Sequence, residues 1–374
     1  MSETFKRVLH GIKENKQNRL SGNPNCIPWS LKRFSSVIPG IQQGRYYLVS
    51  ANQKVGKTQL ADFLFLYEPY FYLKQNKSNI KLKIFYFSLE MRKEEKIKSV
   101  ISHKLYRDTK SIVSPEKMDS LFEGYILEDS VEKQIEEYEE FFKDFESIIT
   151  FVDEIRNPFG IYKYIRDYAN SHGKYISKDG KNIPHEYIDS GNLEVIKTLD
   201  RYQPDDPNEY VVIITDHLSL LQPESGKSLH EAMSTYSSNY CIKMRNRWNY
   251  IPVNIQQQAA MTEQQQYTYK GESIEDKLMP SASGLGDCKL TSRDVDIMLG
   301  LFAPHRYSIN QWEGYDITKL GDNFRELSII LNRRGTGFIS VPLYFNGAVN
   351  QFAELPKPGD MSDDIYRKIL EKKI

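Results

Sequence analysis

The stretch Tyr46-Tyr47-Leu48-Val49-Ser50-Ala51-Asn52-Gln53-Lys54-Val55-Gly56-Lys57-Thr58-Gln59 joins an apolar strand, a loop of small residues and the start of a helix. Its spacing, Ala51-x-x-x-x-Gly56-Lys57-Thr58, is the P-loop pattern with alanine at the first glycine position. Backbone N–H groups at such a helix N-terminus converge on phosphate oxygens, and glycine lets the backbone approach where a Cβ would intrude. The stretch therefore predicts a site for a nucleoside triphosphate.

Two side chains in this loop have expected roles. Lys57 supplies a point charge to the β- and γ-phosphates, and Thr58 offers a hydroxyl to Mg²⁺. The expected cofactors are ATP and Mg²⁺. The predicted nucleotide-binding residues are Ala51, Asn52, Gln53, Lys54, Val55, Gly56, Lys57, Thr58 and Gln59.

The bulk composition is that of an ordinary globular protein. The 374 residues carry 50 basic and 50 acidic side chains, so any nucleic-acid surface must be local. No window approaches the roughly 18 apolar residues that a membrane span needs, and no signal peptide is visible. The three cysteines are odd in number and widely spaced, which argues against a disulfide framework. We therefore predict a cytoplasmic protein with no membrane partner.

Two further apolar strands end in a carboxylate. Residues 83–87 lead into Ser88-Leu89-Glu90-Met91, and residues 210–215 lead into Asp216. Carboxyl ends of parallel strands form the ligand-binding edge of an open sheet. Glu90 is expected to orient or deprotonate the attacking water. Asp216 is expected to hold the water shell of Mg²⁺ from the strand neighbouring the P-loop strand.

Polar side chains at two later strand ends suggest how the site is completed. Residues 251–255 run into three glutamines, of which Gln258 suits a sensor of the γ-phosphate. The polar stretch 261–280 that follows is either flexible filler or a loop that tracks a nucleic-acid backbone. Arg333 and Arg334 follow the strand 327–331; they are either a solvated hairpin tip or an arginine finger that stabilises charge on the transferring phosphoryl group.

The ends of the chain and one internal segment stand apart from this pattern. Residues 4–16 have the apolar spacing of a helix, which packs either on its own domain or on a neighbouring subunit. The regular pattern is lost at about 173–208, which we interpret as a surface insertion. The predicted organisation is a linker helix in 1–22, one ATPase domain in 23–355 and a charged tail in 356–374.

The order of these segments resembles the C-terminal motor domain of the DnaB-type replicative DNA helicases of bacteria and their phages, over roughly 27–355. That resemblance implies an α/β, RecA-like P-loop ATPase core: a mostly parallel central sheet flanked by helices, with a C-terminal antiparallel hairpin. The matching motifs are Pro39-Gly40-Ile41-Gln42-Gln43-Gly44, Ala51 to Thr58, Phe87-Ser88-Leu89-Glu90-Met91, Asp216-His217-Leu218, Pro252-Val253 leading to Gln258, and Arg333-Arg334-Gly335-Thr336-Gly337.

The resemblance also implies roles for particular residues. Glu90 would be the catalytic carboxylate, Asp216 the Mg²⁺ acid and Gln258 the sensor. Arg333 would reach the ATP of the adjacent subunit in a ring, expected to be a hexamer that moves along single-stranded DNA. Lys227 and Lys270, in loops facing the channel, would grip DNA phosphates. A primase or a helicase loader is the further partner implied.

Two departures from the family keep other readings open. The family's helical N-terminal collar has no counterpart in these residues, so residues 4–16 would match only the linker helix that docks on the next subunit; such trimming suggests a phage version. Leu331 stands where the family has a basic residue two positions before the finger. The alternatives are a RecA-like recombinase or filament ATPase, and a nucleotide-gated loader or scaffold without unwinding activity.

Overall fold

A computed structural model of the protein describes residues 2–259, 268–269, 272–273, 278–337 and 339–371. The strands, in chain order, are β1 (Tyr47–Ala51), β2 (Lys81–Ser88), β3 (Ile149–Val152), β4 (Gly173–Ser177), β5 (Asn182–Ile183), β6 (Leu199–Pro204), β7 (Glu209–Asp216), β8 (Ile251–Gln257), β9 (Thr268–Tyr269), β10 (Glu272–Ser273), β11 (Ile297–Phe302), β12 (Gln311–Trp312), β13 (Tyr315–Asp316), β14 (Phe324–Asn332), β15 (Ile339–Asn346) and β16 (Gln351–Glu354).

The helices flank these strands. They are α1 (Glu3–Leu20), α2 (Lys32–Ser35), α3 (Lys57–Asp62), α4 (Glu68–Gln75), α5 (Lys93–Thr109), α6 (Pro115–Met118), α7 (Asp129–Glu136), α8 (Glu139–Ile148), α9 (Pro158–Ser171), α10 (His185–Asp189), α11 (Leu193–Thr198), α12 (Leu229–Thr235), α13 (Ile242–Trp248), α14 (Thr291–Asp294), α15 (Ile317–Leu320) and α16 (Asp363–Leu370). A π-helical turn, Phe63–Tyr67, joins α3 to α4, and another, Tyr236–Cys241, joins α12 to α13.

One large sheet places the P-loop strand at its centre. Its order is β16-β15-β14-β11-β1-β8-β7-β2-β3. The strands from β11 to β3 are parallel, whereas β14, β15 and β16 add an antiparallel extension at the other end. The mixed α/β class, the mostly parallel sheet and the C-terminal antiparallel strands are therefore confirmed.

Both faces of the central strands are covered by helices. All five residues of β1 are buried, as expected for a parallel strand with helices on each side. One face packs against the apolar side chains of the P-loop helix, including Leu60 and Phe63. The other packs against the stripe from Met233 to Trp248. Both faces of the central sheet are therefore covered, and the ends of its strands are the places left for a ligand.

The segment 173–208, where the sequence shows no regular pattern, nevertheless has secondary structure of its own. Strands β4, β5 and β6 form a small antiparallel sheet, accompanied by α10 and α11. Tyr175 and Tyr202 are buried, and the Tyr175 hydroxyl accepts a hydrogen bond from Trp248 Nε1 at 3.0 Å. The apolar residues of this segment are too few to form a periodic pattern, but the rings of Tyr175 and Tyr202 pack in the main core.

Helix α1 contacts its own protomer through polar groups. Arg7 pairs with Asp200 of β6, and the Asn25 side chain donates to the carbonyl of Asn15 at 2.8 Å. The apolar stripe predicted for this helix remains exposed; Phe5, Val8 and Ile12 are 50%, 55% and 60% accessible. None of the helices in the described residues is long and apolar enough to span a bilayer.

Candidate functional site

The P-loop follows directly from the end of β1. Gly56 has φ +104°, and α3 begins at the next residue, Lys57. A Cβ at Gly56 would lie 3.2 Å from the Phe345 ring and 3.2 Å from the Gln59 amide oxygen. The loop is thus a narrow cradle that only glycine fits. This shape suits a backbone approach to phosphate.

A buried arginine supports the loop from within the protein. Arg325 of β14 is 1% exposed and donates from Nε to the carbonyl oxygen of Val55 at 2.7 Å. Its other nitrogens donate to the carbonyl oxygens of Asp322 and Phe324, both at 2.8 Å. Burial lowers the pKa of Arg325, and Asp322 opposes that effect. Sequence reasoning missed this residue because it lies about 270 positions from the loop it holds.

The hydroxyl of Thr58 and the carboxylate of Asp216 meet as predicted. Thr58 Oγ1 donates to Asp216 Oδ1 at 2.9 Å. One expectation was wrong, because Asp216 does not lie on the strand next to β1. Strand β8 separates β1 from β7. Asp216 nevertheless reaches Thr58, since Thr58 is in the first turn of the helix that crosses above the sheet.

A buried lysine and a second aspartate surround the other oxygen of Asp216. Lys96 of α5 is 3.2 Å from Asp216 Oδ2 and 3.2 Å from Asp62 Oδ2. Tyr86 completes the group, with its hydroxyl 2.7 Å from Asp62 Oδ1 and 3.0 Å from Asp216 Oδ2. All four side chains are buried. We call Asp62, Tyr86, Lys96 and Asp216 the buried tetrad.

The charges of the buried tetrad support one another. Burial raises the pKa of Asp62, although Lys96 counteracts it. Burial by itself lowers the pKa of Lys96, but the two carboxylates raise it overall. Sequence reasoning missed Asp62 and Lys96. The charged run at 92–98 gave no sign that one lysine points inward, where Asp62, Tyr86 and Asp216 bind its ammonium group.

Glu90 lies beside a nearly buried histidine. Its Oε2 is 3.7 Å from His217 Nε2, and the Glu90 side chain is 52% exposed. Burial lowers the pKa of His217, the Lys57 charge lowers it further, and the neighbouring carboxylates oppose both effects. The imidazole is therefore favoured in its neutral form. Glu90 is left as an accessible carboxylate at the carboxyl edge of β2.

These groups border a cavity of about 390 Å³ at the carboxyl edge of the sheet. Lys57, Thr58, Glu90 and Lys96 line one part of it, and the turn from Gly347 to Asn350 lines another. The donor set suits Mg²⁺, which is bound through few protein oxygens and keeps several waters. The Thr58 hydroxyl lines this cavity, and the carboxylate of Asp216, which is itself buried, lies 2.9 Å from that hydroxyl. Among the described residues there is no group of three or more His, Cys, Asp or Glu that could hold a metal ion.

Gln258 connects this edge with the segment that follows. Its side-chain Nε2 donates to Ser50 Oγ at 2.8 Å and to the carbonyl of Ser281 at 3.1 Å. Its backbone N–H donates to the carbonyl of Ala51 at 3.0 Å. Gln258 thus ties the P-loop strand to residue 281, after the polar stretch 261–280. Its role as a sensor of the γ-phosphate stays a prediction.

Arg333 and Arg334 lie at the opposite edge of the sheet. Ala51 pairs with Leu301, whereas the other end of β11, Ile297, pairs with Asn332. The Arg333 N–H donates to the carbonyl of Asp296 at 2.9 Å, below the start of β1. At about 3.3 Å per residue, β1 alone separates the two edges by about 13 Å. Neither arginine can reach the P-loop of its own protomer.

The overall arrangement matches known ATPase domains. One similar structure, "ATPase Domain of G40P", has a TM-score of 0.65 and 18% identity and covers 95% of this chain and 100% of that chain. The fold of this chain is therefore similar to that of a RecA-like domain. A second structure, of a DnaB-like replicative helicase described with its primase interactions, has a TM-score of 0.64 and 18% identity over 95% of this chain and 68% of that chain. Scans against protein-family models and curated sequences find no match.

The two residues predicted to contact DNA are Lys227 and Lys270. Lys227 follows β7 and forms an ion pair with Glu224, which raises the pKa of Lys227. Its side chain is 43% exposed. Lys270 lies outside the described residues. The P-loop residues Asn52, Gln53 and Lys54 lie where predicted, but the Asn52 amide is buried and bonded to the Tyr307 hydroxyl.

Proposed function

We propose that this protein is an ATP-driven, ring-shaped DNA helicase that moves along single-stranded DNA. The observation that carries the proposal is the separation of two halves of one site. Lys57, Thr58 and Asp216 gather at one edge of the sheet, and Arg333 lies at the other. A head-to-tail interface would bring the two edges together between subunits, and such an interface forms a ring when the rotation between subunits closes.

Each side chain has a defined task in the proposed hydrolysis. Lys57 and the P-loop N–H groups bind the β- and γ-phosphates. Thr58 and Asp216 hold Mg²⁺, which when bound neutralises charge on the phosphate oxygens. Glu90 accepts the proton of the attacking water. Because the neutral form of His217 is favoured, no positively charged imidazole competes with the water for the Glu90 carboxylate.

Arg333 would complete the site from the neighbouring subunit. In the single protomer its guanidinium is hydrogen-bonded to the carbonyl of Arg293, and its side chain is exposed. A planar cation delivered to the γ-phosphate stabilises the charge that spreads over the transferring group. The exposed stripe of α1 would dock on the next subunit and hold the two edges in register.

Hydrolysis would be coupled to DNA through Gln258. This side chain joins the P-loop strand to the end of the stretch 261–280. The loop that follows β7, with Lys227, leaves the same edge of the sheet. Both loops would line the central channel and bind DNA phosphates in turn as each subunit hydrolyses ATP.

The first experiment tests the nucleotide half of the site. Lys57→Ala should lower the rate of DNA-stimulated ATP hydrolysis by a factor on the order of 10² to 10³, because the positive charge that Lys57 supplies to the phosphates is lost. Lys77→Ala, which changes an exposed lysine in the turn between α4 and β2, is the control. Undiminished hydrolysis by Lys57→Ala would exclude the proposed site.

The second experiment tests the shared site. Lys57→Ala and Arg333→Ala subunits are each inactive alone, but a mixture contains interfaces that combine an intact P-loop with an intact Arg333. Activity should therefore reappear in mixtures and peak near equal proportions. Failure to recover at any ratio would contradict a site built by two subunits.

One observation favours a second candidate, a nucleotide-gated loader or scaffold. Leu331 is partly buried against the core and supplies no cation next to the finger turn. A forked-duplex assay separates the candidates. Robust ATP-dependent strand separation excludes the scaffold, whereas nucleotide-dependent rings without unwinding exclude the helicase. Open filaments with strand exchange would instead indicate a recombinase.

A further inference from the structure

The buried tetrad divides the oxygens of Asp216 between two tasks. Oδ1 accepts the hydrogen bond from Thr58 at 2.9 Å. Oδ2 accepts from Lys96 at 3.2 Å and lies 3.0 Å from the Tyr86 hydroxyl. Only the Thr58 side of the carboxylate is therefore available to the metal. The carboxylate cannot rotate without breaking the bonds at Oδ2.

Lys96 is itself fully engaged. An ammonium group has three N–H donors. In the tetrad they point to Asp62, to Asp216 and to the Tyr86 hydroxyl, which is 2.5 Å away. Tyr86 has one proton to give, and its shorter contact is with Asp62. Asp62 therefore keeps both Lys96 and Tyr86 in place for Asp216.

We propose that Lys96 is a positioning residue that fixes Asp216 so that Oδ1 alone faces the Mg²⁺ site, with Asp62 as its internal counter-ion. The inference rests on the proposed nucleotide site and deepens it. Lys96 lies three residues after the start of α5, the helix that follows Glu90. Its bond to Asp216 therefore also anchors α5 against the carboxylate that is proposed to bind Mg²⁺. Charge-assisted bonds of this kind orient metal-binding groups, and their loss weakens metal affinity about 10- to 100-fold.

Orientation and simple charge effects predict opposite results. If Lys96 only screened the negative charge of Asp216, its removal would tighten Mg²⁺ binding. If it positions the carboxylate, its removal weakens Mg²⁺ binding although a cation has been taken away. The sign of the change therefore reports the role of the lysine.

The experiment measures nucleotide affinity with Mg²⁺ and with EDTA, using a fluorescent ADP analogue and no hydrolysis. The paired variant Asp62→Leu with Lys96→Met removes one carboxylate and the ammonium together, so the net charge of the tetrad is unchanged while Asp216 loses the cation that holds its Oδ2. We expect the Mg²⁺-dependent gain in affinity to fall about tenfold or more, and Mn²⁺ binding followed by electron paramagnetic resonance to weaken in parallel. Lys98→Met, on the same helix but paired with exposed Asp119, is the control.

A gain equal to or greater than that of the wild type would overturn the proposal. Should the paired variant fail to fold, Tyr86→Phe provides a second arm, because it removes one hydroxyl from the tetrad without removing a charge. A smaller loss of the Mg²⁺-dependent gain is expected there, and no loss would overturn the proposal. A wild type that binds nucleotide with Mg²⁺ but never hydrolyses it rejects the helicase and leaves the role of Lys96 standing.

Discussion

Arg325 Nε donates to the Val55 carbonyl oxygen at 2.7 Å, so a strand of the antiparallel extension holds the nucleotide loop from beneath. Arg325 is also hydrogen-bonded to two carbonyl groups near its own position and packs over the Phe345 ring at 4.6 Å. The guanidinium thus supplies three backbone carbonyl groups with the hydrogen bonds that water would otherwise donate. The shape of the P-loop depends on a residue that never touches phosphate.

We expect Arg325→Leu to lower the free energy of unfolding by roughly 3 kcal/mol, because buried carbonyl groups lose their donors. Nucleotide affinity should fall as well, since the loop loses its support. Urea unfolding and a fluorescent nucleotide titration measure the two effects. Arg306→Leu, an exposed arginine nearby, should change stability by less than about 0.5 kcal/mol. Equal stability of the two variants would contradict the assigned role of Arg325.

Gln258→Ala should separate nucleotide binding from DNA stimulation. The variant loses the bonds to Ser50 and Ser281 that connect the P-loop strand with the following segment. We expect nearly normal ATP binding and a DNA-stimulated hydrolysis rate that is about tenfold lower. A tenfold change corresponds to a typical coupling free energy between two sites. Gln257→Ala provides the neighbouring control. If DNA stimulates the Gln258 variant as strongly as the wild type, this side chain is not the sensor.

The exposed stripe of α1 should matter to assembly and not to the protomer. Val8→Ser combined with Ile12→Ser removes two exposed apolar side chains, so protomer stability should stay within about 0.5 kcal/mol. Analytical ultracentrifugation with an ATP analogue should show fewer oligomers. Lys13→Ser tests whether any change on this helix has that effect. Unaltered assembly of the double variant would indicate that the stripe has another use.

His103 should make the fold less stable in mild acid. Burial lowers the pKa of His103 to about 4, and its hydrogen bond to the Val349 carbonyl opposes the shift only in part. Because the unfolded chain binds the proton at an ordinary pKa near 6.5, the stabilisation is present above that pH and is lost as the pH falls toward 4. We expect about 2 kcal/mol less stability from this residue at pH 5 than at pH 7.

The comparison of His103→Phe with the wild type checks this expectation. Phenylalanine retains a ring to stack on Tyr67 but binds no proton. Urea unfolding at pH 7 and pH 5 should show a smaller acid loss in the variant than in the wild type. His185→Phe changes an exposed histidine and should leave the pH dependence unaltered. Parallel pH profiles for wild type and His103→Phe would refute the assignment.

The central strands and the carboxyl-edge residues could be predicted from sequence because each depends on local pattern. Continuous apolar runs ended in the P-loop, Glu90 and Asp216, and parallel strands bring such ends to one edge. Strand order was not available in the same way. Nothing in the sequence of β7 states that β8 intervenes between it and β1, since that order depends on the packing of distant segments.

Residues whose partners are remote could not be found from sequence. Lys96 sits in a charged run typical of a solvated helix, and only its contacts with Asp62 and Asp216 reveal its place. Arg325 is similar, because its position in a strand gives no hint of the loop above. The strands and helices of segment 173–208 could not be predicted for a related reason: its few aromatic residues pack in the main core and follow no periodic pattern of their own.

The opposite placement of Lys57 and Arg333 has a consequence for how activity should vary with protein concentration. In the proposed assembly an isolated protomer has two incomplete sites, one at its P-loop edge and one at its Arg333 edge. An open row of subunits still has one incomplete site at each end. Only a closed ring completes every site. Specific activity should therefore rise steeply as dilute protein is concentrated and then reach a plateau once rings are complete. A protomer with either edge damaged would still join its neighbours in a ring, but each such protomer would leave one site inactive.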